Sequence, residues 1–121
     1  MRIVAGIYKN RRVNFNKLNS RPTTDFAKES LFNLLNNHYN LEEIRGLDLF
    51  AGSGNISYEF ISRGSKDITA IDNNIKCVNF IKKTKAEFKM KYLSIKLSQV
   101  VSYLNKIDKK YDIIFADPPY Y

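Results

Sequence analysis

The sequence predicts an α/β fold, a parallel, doubly wound sheet preceded by an N-terminal β-hairpin arm and a helix. Three observations carry this. From Ile44 onward, short apolar runs alternate with segments of helical periodicity, the order that builds a parallel sheet with helices between its strands. The run Tyr111–Ala116 is apolar on successive residues, as in strands covered on both faces. Segments rich in glycine, acid or proline follow three of the strands, where ligands sit in such sheets.

The elements follow in order. Ile3, Val4 and Ile7 before Tyr8-Lys9-Asn10, with Val13 and Phe15 after it, predict a short hairpin or extended arm with basic residues at its turn. Pro22 keeps Arg21 extended. Thr23 or Thr24 is placed to cap a helix whose apolar stripe is Ala27, Leu31, Leu34 and Leu35, ending near His38. Leu47, Leu49 and Phe50 form a strand that runs into Ala51-Gly52-Ser53-Gly54. Ile56, Tyr58, Phe60 and Ile61 mark the next helix, closed by Arg63-Gly64. Ile68–Asp72 is a second strand, and Cys77, Ile81, Thr84 and Phe88 share one face of the helix after it. Tyr92, Leu93, Ile95 and Leu97 suggest a third strand, Val100 to Ile107 a short helix, and Tyr111–Ala116 a fourth strand. We divide the chain into a basic arm, residues 1–24, and a partial α/β domain, residues 25–121.

Charge narrows the function. Twenty Lys and Arg against twelve Asp and Glu leave a net charge of +8, so a polyanion is the first partner to consider. Residues 1–24 hold Arg2, Lys9, Arg11, Arg12, Lys17 and Arg21 and no acid until Asp25, and guanidinium groups suit phosphates. The lysines of residues 76–96 read as the solvated face of a helix. Cys77 is the single cysteine, which excludes an intrachain disulfide, fits a reducing cytoplasm and reads as a buried thiol. No apolar run is long enough to span a membrane, and no metal site is expected. The sole histidine, His38, reads as a surface or helix-end residue.

The strand-end segments carry the chemistry. Gly52 and Gly54 let backbone approach a ligand closely. Asp72 can accept hydrogen bonds from ribose hydroxyls, or cap the following helix. A dinucleotide fingerprint would want a third glycine where Ser57 stands, so a cofactor without a pyrophosphate, S-adenosylmethionine, fits better. In Asp117-Pro118-Pro119-Tyr120 the two prolines remove two N–H donors. Carbonyls and a carboxylate remain, which suit an exocyclic amine. Tyr120 offers a stacking face for the base that bears it.

These residues resemble the bacterial small-subunit ribosomal RNA guanine-N2 methyltransferases, the 16S rRNA guanine-N2 family. The resemblance runs through Arg2–Gly6, Arg21–Asp25, Glu29–Asn33, Leu47–Gly54, Ile61–Gly64 and Asp117–Tyr120. It implies a Rossmann-like, S-adenosylmethionine-dependent methyltransferase acting on a guanine N2 in 16S rRNA or a small-subunit assembly particle; a monomer is expected. By position, Asp48, Phe50, Ala51, Gly52, Ser53, Gly54, Asp72, Asn73 and Asp117 match the cofactor site, and Gln99 stands where the family usually has an acid or amide near adenine. Asp117, Pro118, Pro119 and Tyr120 match the catalytic loop, and Arg2, Lys9, Arg11, Arg12 and Arg21 match an RNA-contacting arm. The family's sheet continues for about three more strands, so the resemblance reads this chain as C-terminally truncated, a fragment or a shortened gene product. A DNA adenine-N6 methyltransferase and an inactive RNA-binding remnant are the alternative readings.

Overall fold

The computed structural model describes residues 1–14 and 24–118. Phe15, Arg21, Pro22, Thr23, Pro119 and Tyr120 lie outside the described residues. Helix α1 spans Asp25–His38, β1 Gly46–Leu49, α2 Asn55–Ser62, β2 Ile68–Asp72, α3 Ile75–Phe88, β3 Leu93–Leu97, α4 Val100–Lys106 and β4 Ile113–Ala116. The strands form one parallel sheet in the order β3-β2-β1-β4. The chain reverses its winding direction between β1 and β4, which in such sheets opens a crevice at the carboxyl ends of those two strands. This is an incomplete Rossmann-like architecture, as expected from the alternation of elements.

Two apolar clusters sandwich the sheet. Phe32 of α1, Ile56, Tyr58, Phe60 and Ile61 of α2 and Ile81 and Phe88 of α3 pack with Ile68, Ala70 and Leu93 of the strands. Leu47, Leu49 and Ile71 point the other way, toward Phe50, Val100, Tyr103 and Tyr111. The second layer is thin: no residue of α4 is buried, and Val101 is 70% exposed. Ile114 of β4 is 54% exposed, so the expectation of a sheet covered on both faces fails at β4 among the described residues. Only part of an opposing layer lies over it.

Helix α1 begins as expected, with the Thr24 Oγ1 accepting from the Ala27 N–H. Its inward face differs from the predicted stripe. Leu31 and Leu35 are half-buried, Ala27 and Leu34 are exposed, and the fully buried residues are Lys28 and Phe32. The physical reason is a buried ion pair. The Lys28 ammonium donates to the Arg2 carbonyl at 2.6 Å and to Asn55 Oδ1 at 2.7 Å, and lies 3.2 Å from Glu59 Oε1. Three acceptors match its three N–H donors. Glu59 is equally saturated: Oε1 also accepts from the Val4 N–H, and Oε2 accepts from the Ala5 N–H and Arg63 Nε. Both side chains have no exposed surface.

The arm is a tight loop closed by a single antiparallel bridge between Arg2 and Arg12, with Tyr8-Lys9-Asn10 at its turn. Ile3 and Val13 are buried in the main core. The Ile7 N–H donates to the Ser62 carbonyl and the Tyr8 N–H to Ser62 Oγ, so the turn sits on the C-terminal end of α2. Gly6 takes φ +88° there, and a Cβ would lie 1.9 Å from the Ser62 carbonyl oxygen, so only glycine fits.

Glu59→Ala is expected to destabilise the protein by about 3–5 kcal/mol in urea unfolding, because it strands a buried ammonium and two arm N–H groups. A loss below about 1 kcal/mol would show that the pair contributes little to folding.

Candidate functional site

Strand β1 delivers its chain into a loop with three left-handed residues: Phe50 at φ 57°, Gly52 at 58° and Gly54 at 86°. Phe50 bears a side chain in a region that costs such residues about 1–2 kcal/mol. Its ring is partly buried against the α4-side cluster, which holds it there. Strain of this kind concentrates at ligand-binding turns. Gly54 precedes α2 and lies against the Tyr58 ring, 2.5 Å from where a Cβ would sit. Burial, opposed by the Thr84 hydroxyl, pushes the Tyr58 phenol well above the ordinary range.

Asp72, at the end of β2, reaches across to this loop. Its Oδ2 accepts from the Gly52 N–H at 2.8 Å, and Oδ1 accepts from the Asn74 N–H at 2.9 Å. It is not the cap of α3. That role belongs to Asn74, whose Oδ1 accepts from the Lys76 N–H. With one backbone donor on each oxygen, the carboxylate is oriented yet keeps lone pairs for a ligand. Asn73 donates to Gln99 Oε1 at 3.4 Å, tying the ends of β2 and β3, and both side chains are exposed. Cys77 is buried, and burial followed by the Asp72 charge pushes its thiol up, consistent with an inert packing residue.

Register aligns the remaining segments. Asp48 pairs with Ala70 on one side and Phe115 on the other, and Leu49 pairs with Ala116. Asp117 therefore follows β4 beside Phe50. Ser98–Gln99, Asp72, Phe50–Gly54 and Asp117–Pro118 thus lie along one edge of four adjacent strands, about 14 Å from first to last at usual strand spacing. Asp117 and Pro118 are exposed at the mouth. Among the described residues, no group of three or more His, Cys, Asp or Glu converges to hold a metal ion, and no helix is long and apolar enough to cross a membrane.

Asp48 differs from the other acids. It is 2% exposed and accepts a 2.6 Å hydrogen bond from the Ser57 hydroxyl. Burial, opposed by Ser57 and reinforced by the charges of Asp72 and Asp117, pushes its carboxyl up to about 7. It supports the glycine turn from beneath rather than lining the mouth. Ser57, which counted only as a missing glycine, is its partner. Lys28 and Glu59 were also missed, although a lysine and an acid on otherwise apolar helix faces are a readable signal for a buried pair. In the arm, Arg2 bonds to Asp25 and Asn10, whereas Lys9, Arg11 and Arg12 are exposed.

The chain belongs to the family described as "Conserved hypothetical protein 95", which it matches over residues 1–121. It is 36% identical over 121 residues to "Ribosomal RNA small subunit methyltransferase D" of Buchnera aphidicola subsp. Baizongia pistaciae, covering 99% of this chain and 61% of that protein. It is 33% identical over 125 residues to "Putative rRNA methyltransferase YlbH" of Bacillus subtilis, covering 99% and 67%. Among solved structures, "Putative methyltransferase yhhF from Escherichia coli" superposes with a TM-score of 0.88 at 29% identity, covering 99% of this chain and 64% of that one. The chain thus spans about three fifths of the first of these relatives.

The raised Asp48 carboxyl has a signed consequence. Between its ordinary value of 3.8 and about 7, the folded protein holds a proton there that the unfolded chain has lost. This contribution to stability is fully present below 3.8 and is lost as pH rises through about 7. Urea midpoints for Asp48→Asn and the parent should diverge in favour of the variant across that window, by up to about 1.4 kcal/mol per pH unit, and run parallel above it. A difference independent of pH would mean that Asp48 stays ionised throughout.

Proposed function

We propose that this chain forms the cofactor- and amine-binding part of an S-adenosylmethionine-dependent methyltransferase that modifies the exocyclic N2 of a guanine in 16S rRNA, free or in a small-subunit assembly particle. The observation that carries the reading is the register of β1 with β4, which sets Asp117–Pro118 beside the glycine turn at the point where the sheet reverses its winding. The relatives named as ribosomal RNA methyltransferases support the target class.

The residues present fit the cofactor. The left-handed turn at Gly52 and Gly54 keeps side chains away from a closely approaching ligand. Asp72 has acceptors left for ribose hydroxyls, and Gln99, one strand further on, is placed for the adenine amine. The carboxylates of Asp72 and Asp117 at one end of the sheet favour a cationic ligand. S-adenosylmethionine, when bound, supplies an electrophilic methyl group from its sulfonium.

The chain's own work is positioning. A guanine leaves its stack to reach the mouth. Asp117 and the Pro118 carbonyl accept the two amine hydrogens and aim the nitrogen, whose lone pair is otherwise delocalised into the ring. Orientation of this kind supplies a large part of a methyl-transfer barrier. Pro119 brings no competing N–H donor. Tyr120 stacks on the base, a contact of about 1–3 kcal/mol by alanine substitution.

Methyl transfer assayed on unmethylated 16S rRNA, small subunits and duplex DNA is expected on the ribosomal substrates, with Asp117→Ala losing turnover and keeping RNA affinity. Transfer to DNA alone, or full activity in the variant, would overturn the assignment. In calorimetry, Asp72→Asn is expected to bind S-adenosylmethionine roughly 10–100-fold more weakly, the worth of hydrogen bonds to a charged acceptor. Unchanged affinity in a variant that melts like the parent would remove Asp72 from the cofactor site.

A further inference from the structure

We infer that the arm and the C-terminal part of α3 form one extended RNA-docking face, in which a lysine-ringed groove takes the phosphate backbone of the substrate RNA at a distance from the target nucleotide. The inference rests on the reading of the substrate as RNA and adds where the rest of that RNA lies.

The groove encloses about 490 Å³ between the end of α3 and β3. Lys82, Lys85, Lys89 and Lys91 surround it, and Met90 and Ile95 contribute to its apolar walls. Among the described residues, none of these four ammonium groups is ion-paired with a carboxylate. A concavity lined by one sign of charge with low-dielectric walls concentrates its field on a counter-charge. Lys89 sits at φ 56°, the helix-ending position where glycine or asparagine is less costly, yet a cationic side chain stands there.

The groove is continuous with the arm. Tyr8 stacks on Phe88 with ring centroids 5.8 Å apart, and its hydroxyl donates to the Phe88 carbonyl at 2.7 Å. The Arg11 guanidinium lies 4.7 Å from the centre of the same ring. Phe88 immediately precedes Lys89, so the arm's cations and the groove's cations share one surface. Helix α3 starts just after Asp72, and Lys82, Lys85 and Lys89 follow along it, which sets these groove lysines about 10–21 Å from the site end of the sheet. Several nucleotides of backbone, and not the reacting base, span that distance.

The experiment measures fluorescence anisotropy of a labelled 16S rRNA fragment with this chain across a salt series, together with calorimetry for S-adenosylmethionine. The groove variant is Lys82→Gln, Lys85→Gln, Lys89→Asn, the asparagine tolerating the left-handed backbone. A variant of equal charge change, Lys66→Gln, Lys106→Gln, Lys110→Gln, alters exposed lysines outside the groove lining, before β2, at the end of α4 and before β4. The groove variant is expected to bind RNA at least about tenfold more weakly at low salt. Its slope of log affinity against log salt should be smaller by about 2–3, from three lost phosphate contacts at roughly 0.7–0.9 each. The control should stay within about twofold of the parent, and cofactor affinity should be unchanged in both. Equal losses in the two variants, or none in the groove variant, would overturn the docking face while leaving the RNA reading intact. A parent chain that binds no RNA would overturn both.

Discussion

The buried Lys28–Glu59 pair is the constraint on which the rest of this structure depends. Burying two charges is costly unless every hydrogen-bonding position is used, and here every one is. Lys28 fills its three donors with the Arg2 carbonyl, Asn55 and Glu59, and Glu59 fills its acceptors with two arm N–H groups, Lys28 and Arg63. Four separate pieces of chain, the arm, α1 and both ends of α2, are thereby held to one point. Asn55 is the first residue of α2, directly after Gly54, so the pair also anchors the glycine turn. Removing either partner would disturb the site without touching a ligand-binding residue.

A second buried carboxyl works on the same turn from below. Asp48 and Ser57 join β1 to α2 across the glycine loop, and the loop's own backbone is pinned to β2 through Asp72. The turn is therefore braced on two sides by acids of different character. One is buried and easily protonated, and the other is half-exposed at the mouth with capacity to spare. That division lets a single short segment be rigid and still present acceptors to a ligand.

The two ends of the sheet differ in their exposure to unwanted pairing. The β3 edge is guarded by Lys96 and the lysines beside it, a common means of keeping other strands away. The β4 edge carries the exposed Ile114 and has a partner on one side only among the described residues. An apolar edge of this kind invites further strands. The segment that carries Asp117 is accordingly the least supported part of the site, while the glycine turn is the most supported.

Local chemistry made much of this legible beforehand. The strand–helix alternation, the glycine turn, the bounds of β2 and the inward face of α3 at Cys77, Ile81, Thr84 and Phe88 all follow from periodicity and from residues with few backbone options. The same is true of the placement of Asp72 and Asp117, because strand ends are set by the pattern and ligand sites by strand ends. What the sequence by itself determined is therefore the class of the sheet and which segments gather at the carboxyl end of its strands. Only the tertiary structure decided that Lys28, and not Ala27 or Leu34, faces inward, that Asn74 and not Asp72 caps α3, and that the arm's cations adjoin those of α3. Each of these turns on a partner far away in sequence: Glu59 for Lys28, the Gly52 N–H for Asp72, and Phe88 for Tyr8 and Arg11. A side chain's local propensity carries no information about such a partner, and in a packed interior the partner outweighs the propensity.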